Sequence, residues 1–336
     1  MKNRFTLPYP LAFLASKQFI ISICVVLTSL SLSGQSLSSQ TYPYGIMPTN
    51  ANNADVLALY TSWKSTYVSA CANGRYRVEF DNPSETVSEG IAYGMLASVY
   101  ADDQAIFDGL WLYYQDNVNG NGVMNWKING CSGATGFNGA TDAELDAAMA
   151  LIVAYYKWGN GTINYQNAAT ALIQAIKTHE VEAVTRVLKP GDAFGGSSIT
   201  NISYYSPGYY RAYGAFTNDS LFWAEVATKA YDVINDNLSV NSAVGGLVSD
   251  WCTSTGAHSN AASGYQFGGT RYLYDAARTP WRIALDHSWY GSSESAAYLA
   301  LVNDFVNNTV GGLANVRDGY LQDGTVTGSF NNATFV

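Results

Sequence analysis

The chain is poor in charged residues, in histidine and in cysteine. Only 13% of its 336 residues are Asp, Glu, Lys or Arg, and it has three histidines and four cysteines. His179, His258 and His287 are far apart in sequence and form neither a metal-binding nor a catalytic-triad pattern. The cysteines lack the paired close spacing and the histidine neighbours of a zinc site. We therefore expect no metal and no cofactor.

Long apolar runs are also scarce, and the one clear example lies near the N-terminus. Residues 1–40 contain three basic residues and no acid, and their apolar run over 19–27 is too short to span a bilayer stably. This pattern predicts a secretory signal peptide over residues 1–40, cleaved between Ser33 and Gln40, with an uncleaved anchor as the alternative. No later segment is apolar enough to span a bilayer. We expect a secreted protein, extracellular or periplasmic, with no membrane span after cleavage.

Basic residues are outnumbered by acids, 17 to 26, which gives a net charge of −9. Loss of the signal peptide would remove three basic residues and no acid, leaving −12. Such a surface repels nucleic acid and anionic lipid. The chain is nevertheless rich in aromatic residues, with 25 Tyr, 13 Phe and 8 Trp. An accessible surface of uncharged polar and aromatic groups suits a neutral polysaccharide as partner.

Three cysteines remain once Cys24 leaves with the signal peptide. In an exported protein Cys71 and Cys131 could form a disulfide, which would leave Cys252 free. Three reduced or buried thiols are equally compatible with the sequence. The pairing is therefore left open at this point.

The apolar pattern predicts an all-α domain. No alternating run indicates a large sheet, and no linker divides residues 41–336, so we expect one domain there. Apolar residues spaced for one helical face occur in six stretches, 91–99, 106–114, 145–156, 168–176, 222–233 and 296–305. Thr141 and Glu144 have the spacing of a capping box, and Asn164 or Asn167 could cap the next helix. Helical hairpins over such a length must form a barrel or a solenoid, and the lack of a tight repeat favours a barrel.

Three carboxylates stand out by their surroundings. Glu89 lies among glycines and aromatics at the start of an apolar helix, and Asp142 and Asp275 lie in similar settings downstream. A carboxyl group in an apolar setting is suited to hold or deliver a proton. Each acid taken singly also fits a structural role, at a helix N-terminus or in a surface ion pair. Together they indicate a glycosidase.

The order of motifs resembles that of glycoside hydrolase family 8, the inverting endoglucanases, xylanases and chitosanases with an (α/α)6 barrel. The resemblance begins near Tyr42 and continues to the last residue. It is carried by the segments 87–95, 107–111, 124–126, 140–146, 203–207, 274–282, 317–320 and 331–336. The chain departs from the family at Glu144, where Asp is common, and at Ala147, where Ile or Met is common. Family sequences usually continue past the last motif, so we expect a C-terminally incomplete chain that lacks the last helices of the barrel.

The resemblance implies roles for the three carboxylates. Glu89 corresponds to the general acid, and Asp275 corresponds to the general base of the endoglucanase and xylanase branch. Arg278, one turn after Asp275, would orient that base and keep it ionised. Asp142 corresponds to an aspartate that binds the sugar ring before the cleaved bond, and Asp146 is the alternative for this role.

Aromatic residues supply the remaining site candidates. Trp126 matches a tryptophan on which a sugar ring stacks, and Tyr204 matches a tyrosine that hydrogen-bonds the attacking water, with its neighbour Tyr205 as the alternative. Further candidates for the cleft are Trp251, Trp281 and Tyr209. Helical periodicity places three other tryptophans in the core: Trp111, Trp158 and Trp223.

These inferences lead to one expected activity and several alternatives. We expect a monomeric, secreted, inverting endo-β-1,4-glucanase acting on cellulose or mixed-linkage β-glucan. Within the family, xylanase and then chitosanase are the alternatives. A non-catalytic glycan-binding protein on the same scaffold is the alternative from another class, because fold does not imply activity.

Overall fold

The structure is a computed structural model that describes residues 43–45, 50 and 52–335. The predicted signal peptide lies outside these residues. The described chain contains nine α-helices: α1 (Asn53–Tyr67), α2 (Ser88–Tyr100), α3 (Gln104–Asp116), α4 (Thr141–Trp158), α5 (Tyr165–Ala175), α6 (Pro207–Thr217), α7 (Ser220–Val240), α8 (Thr279–Tyr290) and α9 (Ser293–Asp304). None of these described helices combines the length and apolarity needed to cross a membrane.

The helices form hairpins arranged in two layers. α2 packs against α3, α4 against α5, α6 against α7 and α8 against α9. The first helices of these hairpins also pack on one another in the order α2, α4, α6, α8, so they form an inner layer. α4 is the most deeply placed, with every residue from Thr141 to Ala154 buried. The predicted all-α barrel of helical hairpins is confirmed.

The outer helices bury one face, largely the one that the apolar spacing predicts. In α3 the buried face includes Phe107, Leu110 and Tyr114. The predicted face of α9 is only partly right: Phe305 is buried and Leu299 packs against the core, but Ala296 and Ala300 are exposed. The buried residues of α9 are Ser295, Tyr298 and Val302. Ser295 and Tyr298 can be buried because their hydroxyls donate to the backbone carbonyls of Ser292 and Gly246.

One of the two predicted helix caps is present. Asn164 caps α5 by accepting a hydrogen bond from the Asn167 amide at 2.9 Å. The predicted capping box at α4 is wrong, because that helix begins after Ala140 without a side-chain cap. Glu144 is instead fully buried and accepts a hydrogen bond from the Tyr114 hydroxyl. α4 therefore begins without the reciprocal Thr141–Glu144 hydrogen bonds of a capping box.

Short antiparallel strands support the ends of the inner helices. The strands are β1 (Val68–Ala70), β2 (Tyr76–Val78), β3 (Glu85–Val87), β4 (Lys127–Asn129), β5 (Gly133–Gly136), β6 (Thr200–Asn201) and β7 (Trp251–Cys252). β3, β4 and β5 form one sheet, while β1 pairs with β2 and β6 with β7. A disulfide joins Cys71 to Cys131 with their Cα atoms 5.7 Å apart, and Cys252 is a buried free thiol. The structure thus resolves the cysteine pairing that the sequence leaves open.

Candidate active site

The predicted catalytic residues lie at the ends of different inner helices. Glu89 and Asp142 are the second residues of α2 and α4, and Tyr204 shortly precedes α6. Asp275 and Arg278 lie in the turn that leads directly into α8. Successive inner helices run in the same direction because an outer helix returns the chain between them. Their N-terminal ends therefore meet at one end of the barrel, although the residues are far apart in sequence.

The guanidinium group of Arg278 joins all three carboxylates. Nη1 donates to Glu89 Oε1 and, at 2.8 Å, to Asp142 Oδ2, while Nη2 donates to Asp275 Oδ1 at 2.8 Å. The Asp142 side chain is fully buried, but those of Glu89 and Asp275 are 36% and 35% exposed. The guanidinium carbon also lies 5.3 Å from the centroid of the Tyr204 ring. The cluster therefore has one closed side, at Asp142, and one side open to a ligand.

Glu89 and Asp142 form a proton-sharing pair. Burial acts to raise the pKa of Glu89, but the hydrogen bond with Asp142 and the charge of Arg278 together hold it below its ordinary value. Burial and the neighbouring charge of Glu89 raise the pKa of Asp142 well above its ordinary value. The two pKa shifts have opposite directions, so Asp142 holds a proton more readily than Glu89 does.

Asp275 is surrounded by groups that shift its pKa in opposite directions. Burial raises its pKa above the ordinary value, the charge of Arg278 lowers it, and the charge of Glu89 raises it again. The side chains of Asn201 and Trp251 make polar contacts that lower the pKa further, without reversing the net rise. Asp275 is thus stabilised in its ionised form by three neighbours while remaining able to accept a proton.

Asp250 supports the turn that carries Asp275. Its Oδ1 accepts hydrogen bonds from the backbone amides of Leu273 and Ala276, at 3.2 and 2.8 Å. Asp250 is 6% exposed, and its burial raises its pKa to about 7. The charge of the nearby Asp275 contributes to this rise. Asp250 therefore fixes the backbone on both sides of Asp275.

One buried polar atom of the cluster, Arg278 Nε, has no protein partner. Buried polar groups are nearly always hydrogen-bonded, and a hydroxyl group of a ligand could satisfy this one. Among the described residues no set of three or more His, Cys, Asp or Glu side chains is arranged to hold a metal ion.

A second ion pair lies one helical turn below the first. Arg282 and Asp146 form a two-pronged pair with N–O distances of 2.5 and 2.7 Å, and both residues are almost fully buried. Asp142 and Asp146 are four residues apart on α4, as Arg278 and Arg282 are at the start of α8. The two pairs therefore connect α4 to α8 at successive levels. This places Asp142, and not its alternative Asp146, beside Glu89.

Trp126 borders the open side of the cluster. Its carbonyl accepts a hydrogen bond from the Ser88 amide at 3.0 Å, so it lies beside the residue that precedes Glu89. The indole packs on Gly136, where an added Cβ would come within 2.4 Å of the ring. The side chain is 43% exposed. Glycine at position 136 thus leaves room for the indole beside β5, while much of the Trp126 side chain stays exposed.

The remaining aromatic candidates differ in exposure and in their distance from the cluster. Tyr204 lies beside Arg278, whereas Tyr205 is fully buried and hydrogen-bonded to the Thr200 hydroxyl, which removes it from the open side. Trp281 is 39% exposed, while Trp251 and Tyr209 are buried at 6% and 2%. Of the three tryptophans predicted as core, Trp111 and Trp223 are buried. Trp158 is only partly buried and donates to Asp102 Oδ1 at 2.8 Å.

Sequence reasoning missed Asn201 and Asp250. Both come from the pair of strands β6 and β7 or the residue beside it, and neither belongs to a motif used above. Their link to Asp275 depends on contacts between distant segments. The sequence offers one signal for Asn201 and Asp250, a polar residue within a short apolar stretch. This pattern is too common to single out either residue.

Comparison with known proteins places these observations in a family. A sequence model described as "Glycosyl hydrolases family 8" matches residues 35–336. Endoglucanase 2 of Ruminiclostridium josui is 37% identical over 94% of this chain and 70% of its own length. Endoglucanase A of Acetivibrio thermocellus is 39% identical over 88% of this chain and 62% of its own. The chain thus spans between 62% and 70% of the length of these two relatives.

A solved structure gives the same result in three dimensions. The apo structure of a beta-1,3-1,4-glucanase from Paenibacillus sp. X4 is 32% identical to this chain, with a TM-score of 0.81. The match covers 90% of this chain and 85% of that structure. The helical layers described above are therefore shared with a solved glucanase.

Proposed function

Because this chain belongs to glycosyl hydrolase family 8, we propose that it is a secreted, inverting endo-β-1,4-glucanase that acts on cellulose or mixed-linkage β-glucan. The observation that carries the proposal is the joining of Glu89, Asp142 and Asp275 by one guanidinium group. Inverting hydrolysis needs one carboxylic acid and one carboxylate, separated by about 6.5–9.5 Å so that a water molecule fits beside the sugar. Arg278 lies between Glu89 and Asp275, which supports a gap wider than direct contact between the two.

Glu89 is the proposed general acid. It must deliver a proton to the leaving oxygen, and the Glu89–Asp142 pair holds one. As the substrate enters and weakens the contact between Glu89 and Arg278, the pKa of Glu89 rises and the shared proton moves to it from Asp142. The departing sugar then takes this proton as the bond breaks.

Asp275 is the proposed general base. The attacking water loses a proton to Asp275 as its oxygen bonds to the anomeric carbon from the face opposite the leaving group. Tyr204 would hold that water: burial raises the pKa of its hydroxyl well above the ordinary value, and the nearby charges of Glu89 and Asp275 add to the rise. The hydroxyl therefore stays protonated and able to donate a hydrogen bond.

Trp126 and Asp142 are proposed to position the sugar chain. The exposed face of Trp126 suits the apolar face of a pyranose ring. Asp142 lies beside Glu89 and the Arg278 guanidinium group, where its carboxyl suits a sugar hydroxyl. The endoglucanase and beta-glucanase names of the similar proteins favour glucan over xylan or chitosan.

The test is release of reducing sugar from carboxymethylcellulose, barley β-glucan, xylan and chitosan. We expect activity on one of the two glucans and a loss of about 10²-fold or more in Glu89→Gln. Glu294→Gln is the matched control, because Glu294 is an exposed first-turn acid of an outer helix. Activity that survives Glu89→Gln would refute the acid assignment. Folded protein that binds glucan but cleaves none of the four polymers would favour the glycan-binding alternative.

Stereochemistry and secretion have separate tests. Proton NMR of cellohexaose hydrolysis should show the α-anomer forming first, because inversion converts the β-linkage; initial β-anomer would refute inversion. Mass spectrometry of protein from the culture medium or periplasm should give an N-terminus between Ser33 and Gln40. We also propose that the protein is a monomer, which a light-scattering measurement of its mass in solution would test.

A further inference from the structure

An exposed aromatic side chain stands next to the proposed base and has no role in the reaction described above. Tyr265 stacks on Trp251 with ring centroids 4.2 Å apart and planes 19° from parallel. Trp251 is 6% exposed, whereas Tyr265 is 40% exposed. Since one face of the tyrosine ring covers the indole, its exposed area belongs to the opposite face and the ring edge.

This stack is continuous with the candidate active site. The Trp251 side chain makes a polar contact with Asp275, and its ring centroid is 6.4 Å from that of Tyr204. The charge of Asp275 also reaches the Tyr265 hydroxyl, where it adds to the effect of burial and raises the pKa. Tyr204, Trp251 and Tyr265 therefore form a row that leads outward from the base.

The segment that carries Tyr265 is held in place by backbone and packing contacts. The Tyr265 amide donates to the Ala262 carbonyl, and the Gly268 amide donates to the Tyr265 carbonyl, both at 2.9 Å. Gly269, with φ +68°, lies so close to Trp251 that an added Cβ would come within 2.7 Å of the Trp251 Cβ. A ring that is already fixed loses little conformational freedom when a ligand stacks on it.

A strained residue follows within the same turn. Phe267 has φ 49°, a left-handed conformation that is costly for a bulky side chain. Its ring is 52% exposed and lies under the Arg271 guanidinium group at 3.5 Å. Such strain persists where the surrounding structure enforces it, and it clusters at ligand-binding sites. The turn thus presents a second exposed aromatic ring two residues after Tyr265.

We propose that Tyr265 is a sugar-stacking platform that binds a glucosyl residue of the substrate beyond the one that reacts, on the Asp275 side of the cleft. The inference rests on the proposed function, because a polymeric glucan must continue past the reacting bond. A flat aromatic face covers the apolar face of a pyranose while the sugar hydroxyls remain in water. Tyr265 acts only on binding of the longer chain and takes no part in proton transfer.

The experiment compares kcat/KM for cellotriose, cellotetraose, cellopentaose and cellohexaose between the wild type and Tyr265→Ala. We expect a loss that grows with chain length and reaches about tenfold for cellohexaose. Tyr265→Phe should retain wild-type values, because the flat ring is kept. Tyr265→Leu covers Trp251 without a flat ring and should show the loss even if the alanine variant folds poorly.

The control is Tyr100→Ala. Tyr100 is 40% exposed, as Tyr265 is, but it lies at the end of α2 opposite to Glu89. Its replacement should therefore leave kcat/KM unchanged for all four oligosaccharides. An equal loss on all four oligosaccharides would overturn the proposal, because it would indicate displacement of Asp275 through Trp251. No loss on any of them would also overturn it. Absence of hydrolysis by the wild type would instead refute the proposed function, and the platform with it.

Discussion

Asp250→Asn should make the protein more stable at alkaline pH, with a gain that shrinks as the pH falls toward 4. Burial raises the pKa of Asp250 from 3.8 to about 7, so the folded state keeps this carboxyl protonated where the unfolded state has ionised it. A folded-state pKa above the unfolded value means that stability falls as pH rises, here between about pH 4 and pH 7. Each pH unit in that window costs about 1.4 kcal/mol, so the wild type loses about 3 kcal/mol between pH 5 and pH 8 through this group.

Asparagine at position 250 removes this pH-dependent loss of stability while keeping the local geometry. Its Oδ1 can accept the same two hydrogen bonds, from the amides of Leu273 and Ala276. At pH 5 the unfolded wild-type carboxyl has already ionised while the folded one has not, so the variant should be more stable by about 1.6 kcal/mol. At pH 8 this advantage should be larger by a further ~3 kcal/mol, since the variant has no carboxyl to ionise. Asp250→Ala, which lacks the acceptor, should be less stable than Asp250→Asn at both pH values.

The assay is urea unfolding followed by tryptophan fluorescence at pH 5 and pH 8. The other buried acids are common to both proteins, so the comparison isolates Asp250. Asp81→Asn, a change at an exposed acid, is the control and should leave the pH dependence unchanged. If Asp250→Asn and the wild type lose stability in parallel between the two pH values, the reasoning is wrong and Asp250 is already ionised in the folded state at pH 5.

Three further predictions follow from the same structure. Arg278→Lys should reduce kcat by about 10²-fold or more, because a lysine cannot reproduce the fork that joins three carboxylates; near-normal kcat on the glucan substrate would contradict this. Tyr204→Phe should lower kcat by about 10²-fold with little change in KM, since it removes only the proposed hydrogen bond to water; a change confined to KM would argue against the role. Replacing Cys71 and Cys131 with serine opens a loop of 60 residues and should cost about 4 kcal/mol of unfolding free energy in the chain-entropy model. Unchanged denaturation midpoints under oxidising conditions would show that the bond does not stabilise the fold.

The apolar spacing was enough to predict the six periodic helices but missed three others. α1 buries no residue and so has no apolar face to detect. α6 begins with Pro207, Gly208 and two tyrosines that are buried despite their hydroxyl groups, and α8 buries Arg282 and Asp286. α6 and α8 therefore lack the apolar periodicity that α2 and α4, the other two inner helices, retain. Their presence was implied by the resemblance to the family rather than by the spacing.

The choice between neighbouring candidates needed the structure. Asp142 and Asp146 lie on the same side of α4, and only the positions of their arginine partners on α8 distinguish them. Tyr204 and Tyr205 are adjacent, and the turn before α6 places one beside Arg278 and the other in the core. These distinctions depend on backbone direction over one or two residues, which the sequence does not specify.

The long sequence separation between Arg278 and its partners affects when the charge cluster can form during folding. Its partners Glu89 and Asp142 lie 189 and 136 residues earlier in the chain, so both are synthesised long before the arginine that pairs with them. Until α8 docks, each of these acids lacks its shared cation. Contacts of such sequence separation form late because much of the chain must be ordered first. The charge cluster is therefore absent from a nascent chain and is completed only when the segment that carries Arg278 docks against the ends of α2 and α4.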